Sequence, residues 1–90
     1  MNSIKIEKLS EDSISRRQIK NWAIWEKEIS FFDWEYTETE ECLILTGKVE
    51  VLLENGDKIQ FGKGDFVTFP RGLKCKWNIL ENVRKHYRFK

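Results

Sequence analysis

The stretch from Gly64 to Trp77 constrains the fold of this 90-residue chain more than any other part of it. Phe66 to Phe69 has the composition of a strand, and Pro70-Arg71-Gly72 that of a tight turn. Leu73 to Leu80 then continues as a second strand. Because the strand composition returns at once on the far side of the turn, the stretch predicts a β-rich fold.

The rest of the chain repeats this pattern of short strands and turns. Asn55-Gly56 is a strong hairpin signal because both residues tolerate positive φ. Residues 10–20 have Ser, Asp and Glu near their start, which is typical of a helix N-terminus. Short strands with a turn about every eight to twelve residues predict an all-β sandwich or barrel, here with a short N-terminal helical segment. The other predicted strands are residues 4–7, 29–36, 42–45, 49–53, 59–61 and 83–89, with further turns at Gly47 and at residues 81–82.

The size and charge of the chain limit what it can do. Ninety residues suit one domain, predicted to span residues 1–90 with its barrel core at about 22–89. A net charge of +1 argues against nucleic acid as a partner, because phosphate binding needs a concentrated positive surface. The basic cluster at residues 84–90 is interpreted as a last strand with solvated charges, with a polyanion or RNA site as the alternative.

The sequence predicts no membrane segment. Its apolar runs are shorter than the roughly 18 residues that a spanning helix needs, and its N-terminus lacks the apolar core of a signal peptide. We therefore expect a cytoplasmic protein without a membrane partner, in which Cys42 and Cys75 are thiols. A disulfide between them is the alternative if the two side chains face each other.

The residues Gly64, Pro70, Gly72 and Cys75 have the spacing G-x5-P-x-G-x2-(ligand). This spacing resembles the second motif of the cupin superfamily, in which the last position is usually a metal-binding His. The resemblance implies a cupin fold, a jelly-roll barrel of the double-stranded β-helix type. The Cys at position 75 departs from the motif, so the usual metal ligand is missing there.

A second spacing supports the same resemblance. The first cupin motif contains H-x-H-x3-E-x6-G, and its Glu and Gly match Glu40 and Gly47. Trp34 and Tyr36 occupy the positions of the two His residues. The resemblance therefore implies the barrel without its usual metal chemistry.

Several longer segments of the sequence resemble those of a narrower group of proteins. They are Trp25-Glu26-Lys27-Glu28, Phe32-Asp33-Trp34, Glu41-Cys42, residues 47–51, Gly64-Asp65, Phe69-Pro70-Arg71-Gly72, Cys75 and residues 83–87. They resemble small single-domain cupins related to the cupin domain of (S)-ureidoglycine aminohydrolase, a manganese enzyme. Its metal positions correspond to Trp34, Tyr36, Glu40 and Cys75, so the resemblance implies the fold and the pocket but not the aminohydrolase reaction.

Alternation along the predicted strands gathers one set of side chains at the barrel mouth. An inward Glu40 brings Cys42 inward, and the same alternation groups Cys75 with Trp77. The aromatic rings could stack on a planar ligand or cradle a cation, or they could be core packing alone. Trp22 and Trp25 are expected to pack across the barrel end or in a subunit interface. The predicted ligand-binding residues are Trp34, Tyr36, Glu40, Cys42, Cys75, Trp77 and His86.

Two of these residues are candidates for catalysis. Glu40, desolvated beside aromatic rings, suits a general acid or base; the alternative is a structural carboxylate bonded to Tyr36, Arg71 or Lys74. Cys75 is a candidate nucleophile if a nearby base or cation lowers its pKa. Otherwise it is a buried thiol that packs as a small hydrophobe.

A metal site would need more ligands than this set offers. Glu40 and Cys75 supply two, and Cys42 or His86 could add a third, whereas stable sites use three or four. We therefore expect no cofactor, with aromatic packing in place of the metal. A divalent metal held by Glu40 and Cys75 is the alternative.

The sequence as a whole predicts a small cupin that binds a small polar or planar metabolite. Glu40 would be the polar anchor, Tyr36 a hydrogen-bond partner, and Trp34 and Trp77 the stacking walls. The first alternative is a hydrolase or isomerase acting on a ureide-like, nitrogen-rich metabolite. The second is a non-catalytic structural or interaction module. We also expect a homodimer, because a small barrel gains stability by burying a sheet edge.

Overall fold

The computed structural model describes residues 4–90, most of which lie in β-strands. This is the predicted all-β fold with a short N-terminal helix. Residues 4–90 contain no helix with the length and hydropathy of a membrane span. The elements are β1 (Lys5–Lys8), α1 (Glu11–Arg16), a 3-10 helix (Ile19–Asn21), β2 (Ala23–Lys27), β3 (Ser30–Glu35), β4 (Glu40–Leu53), β5 (Lys58–Gly62), β6 (Asp65–Phe69) and β7 (Lys74–Phe89).

The strands pair antiparallel in two groups that share the long strands β4 and β7. These two strands pair with each other along both of their halves. In the first group, the start of β4 also pairs with β6, β6 pairs with β1, and the end of β7 pairs with β2. In the second group, the end of β4 pairs with β5 and the start of β7 pairs with β3. One apolar core contains buried side chains from both groups.

The pairing of the two long strands is irregular where Gly47 of β4 contacts Asn82 of β7. A Cβ atom on Gly47 would lie 2.5 Å from the Asn82 carbonyl oxygen, and the φ of Gly47 is +105°, so the position requires glycine. The register of β4 against β7 also shifts between Ile44 and Val49. The turns predicted here were therefore wrong. Predicted strands 42–45 and 49–53 both belong to the continuous strand β4, and predicted strands 73–80 and 83–89 both belong to β7.

The outer face of the first group is covered by the N-terminal segment. The Ser10 side chain caps α1 by accepting a hydrogen bond from the Ser13 amide at 3.1 Å. Ile14 and Ile19 then pack with Leu43 and Phe66 in a second apolar cluster. Because both faces of this group are covered, the start of β4 is buried on its two sides. This explains its continuous apolar sequence.

Candidate functional site

A cavity of about 150 Å³ opens into the barrel and is lined by residues of β2, β3, β4 and β7 and by Tyr36. Its most deeply buried lining residues are Tyr36, Glu40, Trp77 and Lys85, none more than 5% exposed. Trp34, which is 45% exposed, lines its outer part. The other lining residues are Trp25, Phe32, Tyr87 and Phe89. The structure therefore brings four of the predicted site residues together, namely Trp34, Tyr36, Glu40 and Trp77.

The cavity contains a buried ion pair between Glu40 and Lys85. The Lys85 Nζ donates to Glu40 Oε2 at 2.7 Å, and the two side chains are 6% and 4% exposed respectively. The same Nζ lies 4.8 Å from the ring centroid of Trp25 and 4.6 Å from that of Trp77. The ammonium is thus held by one carboxylate and two indole faces, which together compensate for its removal from water.

Within residues 4–90, two buried polar atoms of the lining residues lack a hydrogen-bond partner of good geometry, namely the Trp77 indole nitrogen and the Tyr36 hydroxyl. The Tyr36 hydroxyl nevertheless lies near enough to the Glu40 carboxylate to interact with it as a donor. Burial, and then the neighbouring Glu40 carboxylate, raise the pKa of Tyr36 far above its ordinary value, so its hydroxyl stays neutral. An unpaired buried polar group costs about 1–3 kcal/mol. A ligand that supplied the missing partners would recover this free energy.

The two cysteines lie outside this cavity. Both are buried free thiols, so the structure forms no disulfide between them. Burial raises the pKa of Cys42 to about 12. Burial, with a smaller effect of Glu40, raises the pKa of Cys75 to about 11. A protonated thiol is a poor nucleophile, so the geometry favours the interpretation of Cys75 as a small hydrophobe. Cys75 lines a separate open groove of about 560 Å³ with Trp34.

His86 is also separated from the cavity. Neighbouring side chains on a strand alternate between faces, so an inward Lys85 turns His86 outward. Its Nδ1 lies 3.1 Å from the Trp22 carbonyl oxygen, to which it donates. The predicted ligand-binding role of His86 therefore does not fit this cavity. Within residues 4–90, no group of three or more His, Cys, Asp or Glu side chains is placed to hold a metal ion.

Sequence reasoning missed Lys85 and Trp25. Residues 84–90 were interpreted as solvated, yet Lys85 is buried and pairs with Glu40. The alternative of a structural Glu40 carboxylate named Tyr36, Arg71 or Lys74 as its partner and did not include Lys85. Trp25 lies in β2 opposite Lys85 and forms a cavity wall, not a cap over the barrel end. A signal was present in the sequence, because Val83, Lys85 and Tyr87 alternate on one otherwise apolar face of the last strand.

Comparison with known proteins gives the family. The model of the EutQ-like cupin domain matches residues 14–87. The chain is similar to a DUF861 family protein from Thermotoga maritima, with 51% identity, a TM-score of 0.95, and coverage of 98% of this chain and 100% of that one. A DUF861 family protein of unknown function from Pseudomonas syringae pv. tomato is 28% identical, with a TM-score of 0.68 over 74% of this chain and 29% of that one.

A more distant structure shows the same fold. The EutQ protein of Clostridium difficile is 18% identical, with a TM-score of 0.68 over 98% of this chain and 68% of that one. At this identity the likeness concerns the fold alone. No curated protein matches the sequence.

Proposed function

Because the chain belongs to the EutQ-like cupin domain family, we propose that it uses the barrel cavity of that fold to bind a small planar metabolite. The observation that carries the proposal is the cavity of about 150 Å³ lined by aromatic rings around the Glu40–Lys85 ion pair. An apolar cavity of about 150 Å³ in another protein binds benzene. The volume therefore suits a single ring.

The walls of the cavity are suited to stacking. Phe32 lies nearly parallel to Trp77, with ring centroids 6.2 Å apart and an interplanar angle of 18°. Trp25 meets Trp77 edge to face at 5.9 Å. Small-molecule sites are typically apolar pockets with a few convergent polar groups. Here those groups are Glu40 and Lys85, with the Tyr36 hydroxyl and the Trp77 indole N–H beside them.

A panel of single-ring compounds tests the proposal by thermal shift and tryptophan fluorescence. We expect at least one compound to raise the Tm and quench the fluorescence. Trp34→Ala, which removes a cavity wall, should abolish the response. Phe31→Ala is the matched control, because Phe31 is on the same strand, is 57% exposed, and does not line the cavity. Either the absence of any response or an equal loss in both variants would refute the proposal.

We propose as a second candidate a hydrolase or isomerase that acts on a nitrogen-rich metabolite, in keeping with the resemblance to (S)-ureidoglycine aminohydrolase. The observation in its favour is the Glu40 carboxylate 2.7 Å from the Lys85 ammonium, a proton acceptor beside a proton donor. Incubation of each bound compound with the protein in heavy water, followed by proton NMR, tests it. Deuterium incorporation or ring opening that disappears in Glu40→Gln supports an enzyme, whereas unchanged spectra support binding alone.

We infer that the barrel pairs with a second copy through β3, and this homodimer stays a prediction. In the described sheet β3 pairs with β7 on one side, and Ile29 and Phe31 are 65% and 57% exposed. Such an edge is commonly covered by another chain. Sedimentation equilibrium should show a dimer that Phe31→Glu weakens; a monomer at all concentrations would contradict this.

A further inference from the structure

We infer that the ligand of the barrel cavity is a neutral planar ring with a lactam-type edge, a C=O beside an N–H, that pairs with Lys85 and Glu40. This inference rests on the proposed function, because it names the chemical class of ligand for the same site. It follows from the hydrogen-bonding capacity of the ion pair, the charge balance of the cavity and the unpaired groups nearby.

The ion pair presents a donor next to an acceptor. An ammonium has three protons and no acceptor, whereas a carboxylate accepts through two oxygens. The contact between Lys85 Nζ and Glu40 Oε2 is 2.7 Å long and uses one of those protons. In a lactam the carbonyl oxygen and the amide nitrogen share one carbon, so bond lengths of 1.23 and 1.33 Å place them roughly 2.3 Å apart. This spacing is close to that of the ion pair, so the C=O can accept from Lys85 while the N–H donates to Glu40.

The charge balance of the cavity favours a neutral ring. Glu40 and Lys85 are the charged side chains that line it in the described part of the chain, and their charges cancel. Tyr36 adds no charge, because its pKa is raised far above the ordinary value. A carboxylate or an ammonium on the ligand would therefore lose hydrating water without gaining a counter-charge. A dipolar, uncharged edge avoids this cost.

The unpaired groups favour a further acceptor on the ring. The Trp77 indole N–H can only donate, and it has no partner in the structure. The Tyr36 hydroxyl also lacks a partner of good geometry, although it lies near the Glu40 carboxylate. A second carbonyl or ring nitrogen on the ligand would satisfy one of these groups. The volume of about 150 Å³ suits one ring inside the cavity.

The test compares three probes by isothermal titration calorimetry. 4-Methyl-2-pyridone presents the lactam edge, N-methyl-2-pyridone has its N–H blocked at nearly the same size, and benzoate is a flat anion. We expect 4-methyl-2-pyridone to bind at least about ten-fold more tightly than either of the other two, the effect of one lost hydrogen bond or one unpaired charge. Equal or tighter binding of N-methyl-2-pyridone or benzoate would overturn the inference while leaving a ring-binding cavity in place. Failure of all three probes and of the wider ring panel would instead refute the proposed function.

A variant at Glu40 tests the same inference by charge. Glu40→Gln removes the negative charge and leaves the Lys85 ammonium uncompensated, so the preference should reverse towards benzoate by about ten-fold. Asp33→Asn is the matched control, because Asp33 pairs with Lys76 on the exposed surface at 3.6 Å. It should leave the preference unchanged. If Glu40→Gln folds and still prefers 4-methyl-2-pyridone to benzoate, the inference is wrong; if it does not fold, the probe comparison decides.

Discussion

The Lys85 ammonium lies 2.7 Å from the Glu40 carboxylate, and neither side chain is more than 6% exposed. The two residues are 45 positions apart in the sequence and meet because the start of β4 pairs with the end of β7. A buried ion pair adds little net stability, because removing two charges from water offsets their attraction. Loss of one partner is costly, however, since it leaves the other charge buried and unpaired.

Removal of either partner should therefore destabilise the protein strongly. We expect Lys85→Met and Glu40→Gln each to lower the free energy of unfolding by about 3–5 kcal/mol. The double variant should lose clearly less than the sum of the two, because no unpaired charge remains. Urea unfolding followed by circular dichroism measures this. Lys76→Met, which breaks an exposed pair, should change stability by no more than about 0.5 kcal/mol. Additive single effects would argue against a direct pair.

The close approach of β4 to β7 should depend on Gly47. Alanine at Gly47 would place its Cβ 2.5 Å from the Asn82 carbonyl oxygen, whereas Gly72 has a similar positive φ of +89° and open space around it. We expect Gly72→Ala to cost about 1–2 kcal/mol through its backbone conformation alone. Gly47→Ala should cost at least about 2 kcal/mol more, because the clash adds to the same strain. Equal Tm values for the two variants would show that the close approach is not required.

Acid should destabilise the protein through Glu41. Burial tends to raise the pKa of Glu41, but hydrogen bonds from Arg88 at 2.8 Å and ion pairing with Lys90 at 3.3 Å lower it below its ordinary value. A carboxyl with a lowered folded pKa contributes stability above its unfolded pKa, and this contribution is lost as the pH falls through the folded pKa. Urea unfolding should show declining stability below about pH 4.5. Glu41→Gln should flatten that decline; an unchanged slope would assign the acid sensitivity to other groups.

The thiols should be unreactive in the folded protein and sensitive to alkali. With pKa values of about 11 for Cys75 and about 12 for Cys42, both are protonated at pH 8. A disulfide reagent should therefore react much more slowly with native than with urea-unfolded protein, and with Cys75 before the fully buried Cys42. A raised folded pKa stabilises the fold below the unfolded pKa, so stability should fall as the pH rises from about 9 towards 12. Fast native labelling would contradict the burial of these groups.

Sequence reasoning reached the fold because two spacings agreed. Glu40 and Gly47 gave one motif, and Gly64, Pro70 and Gly72 gave the other. The same spacings could not show that Gly47 lies within a continuous strand. In a sequence, a glycine that needs positive φ in a turn cannot be told from one that needs it in an irregular strand. The contact that places Gly47 within a strand is made with Asn82, which is distant in the sequence.

Only part of the candidate site was predicted, because part of it depends on contacts between residues far apart in the sequence. Trp34, Tyr36, Glu40 and Trp77 were found because motif positions and strand alternation fix which way they face. Lys85 was missed because its basic neighbours suggested a solvated strand, and its burial depends on a partner 45 residues away.

We propose that a ring binds in the cavity against the Glu40–Lys85 pair, beside the contacting rings of Trp25 and Trp77. NMR of ¹⁵N-labelled protein during titration with 4-methyl-2-pyridone tests it most directly, through the Lys85 ammonium and the indole N–H signals. We expect the signals of Lys85, Trp25 and Trp77 to shift together and saturate. The signal of Trp22, which packs on Phe66 across the sheet, should stay in place. A shift of Trp22 without Trp77, or a Lys85 signal unchanged at saturation, would contradict ring binding at the Glu40–Lys85 pair.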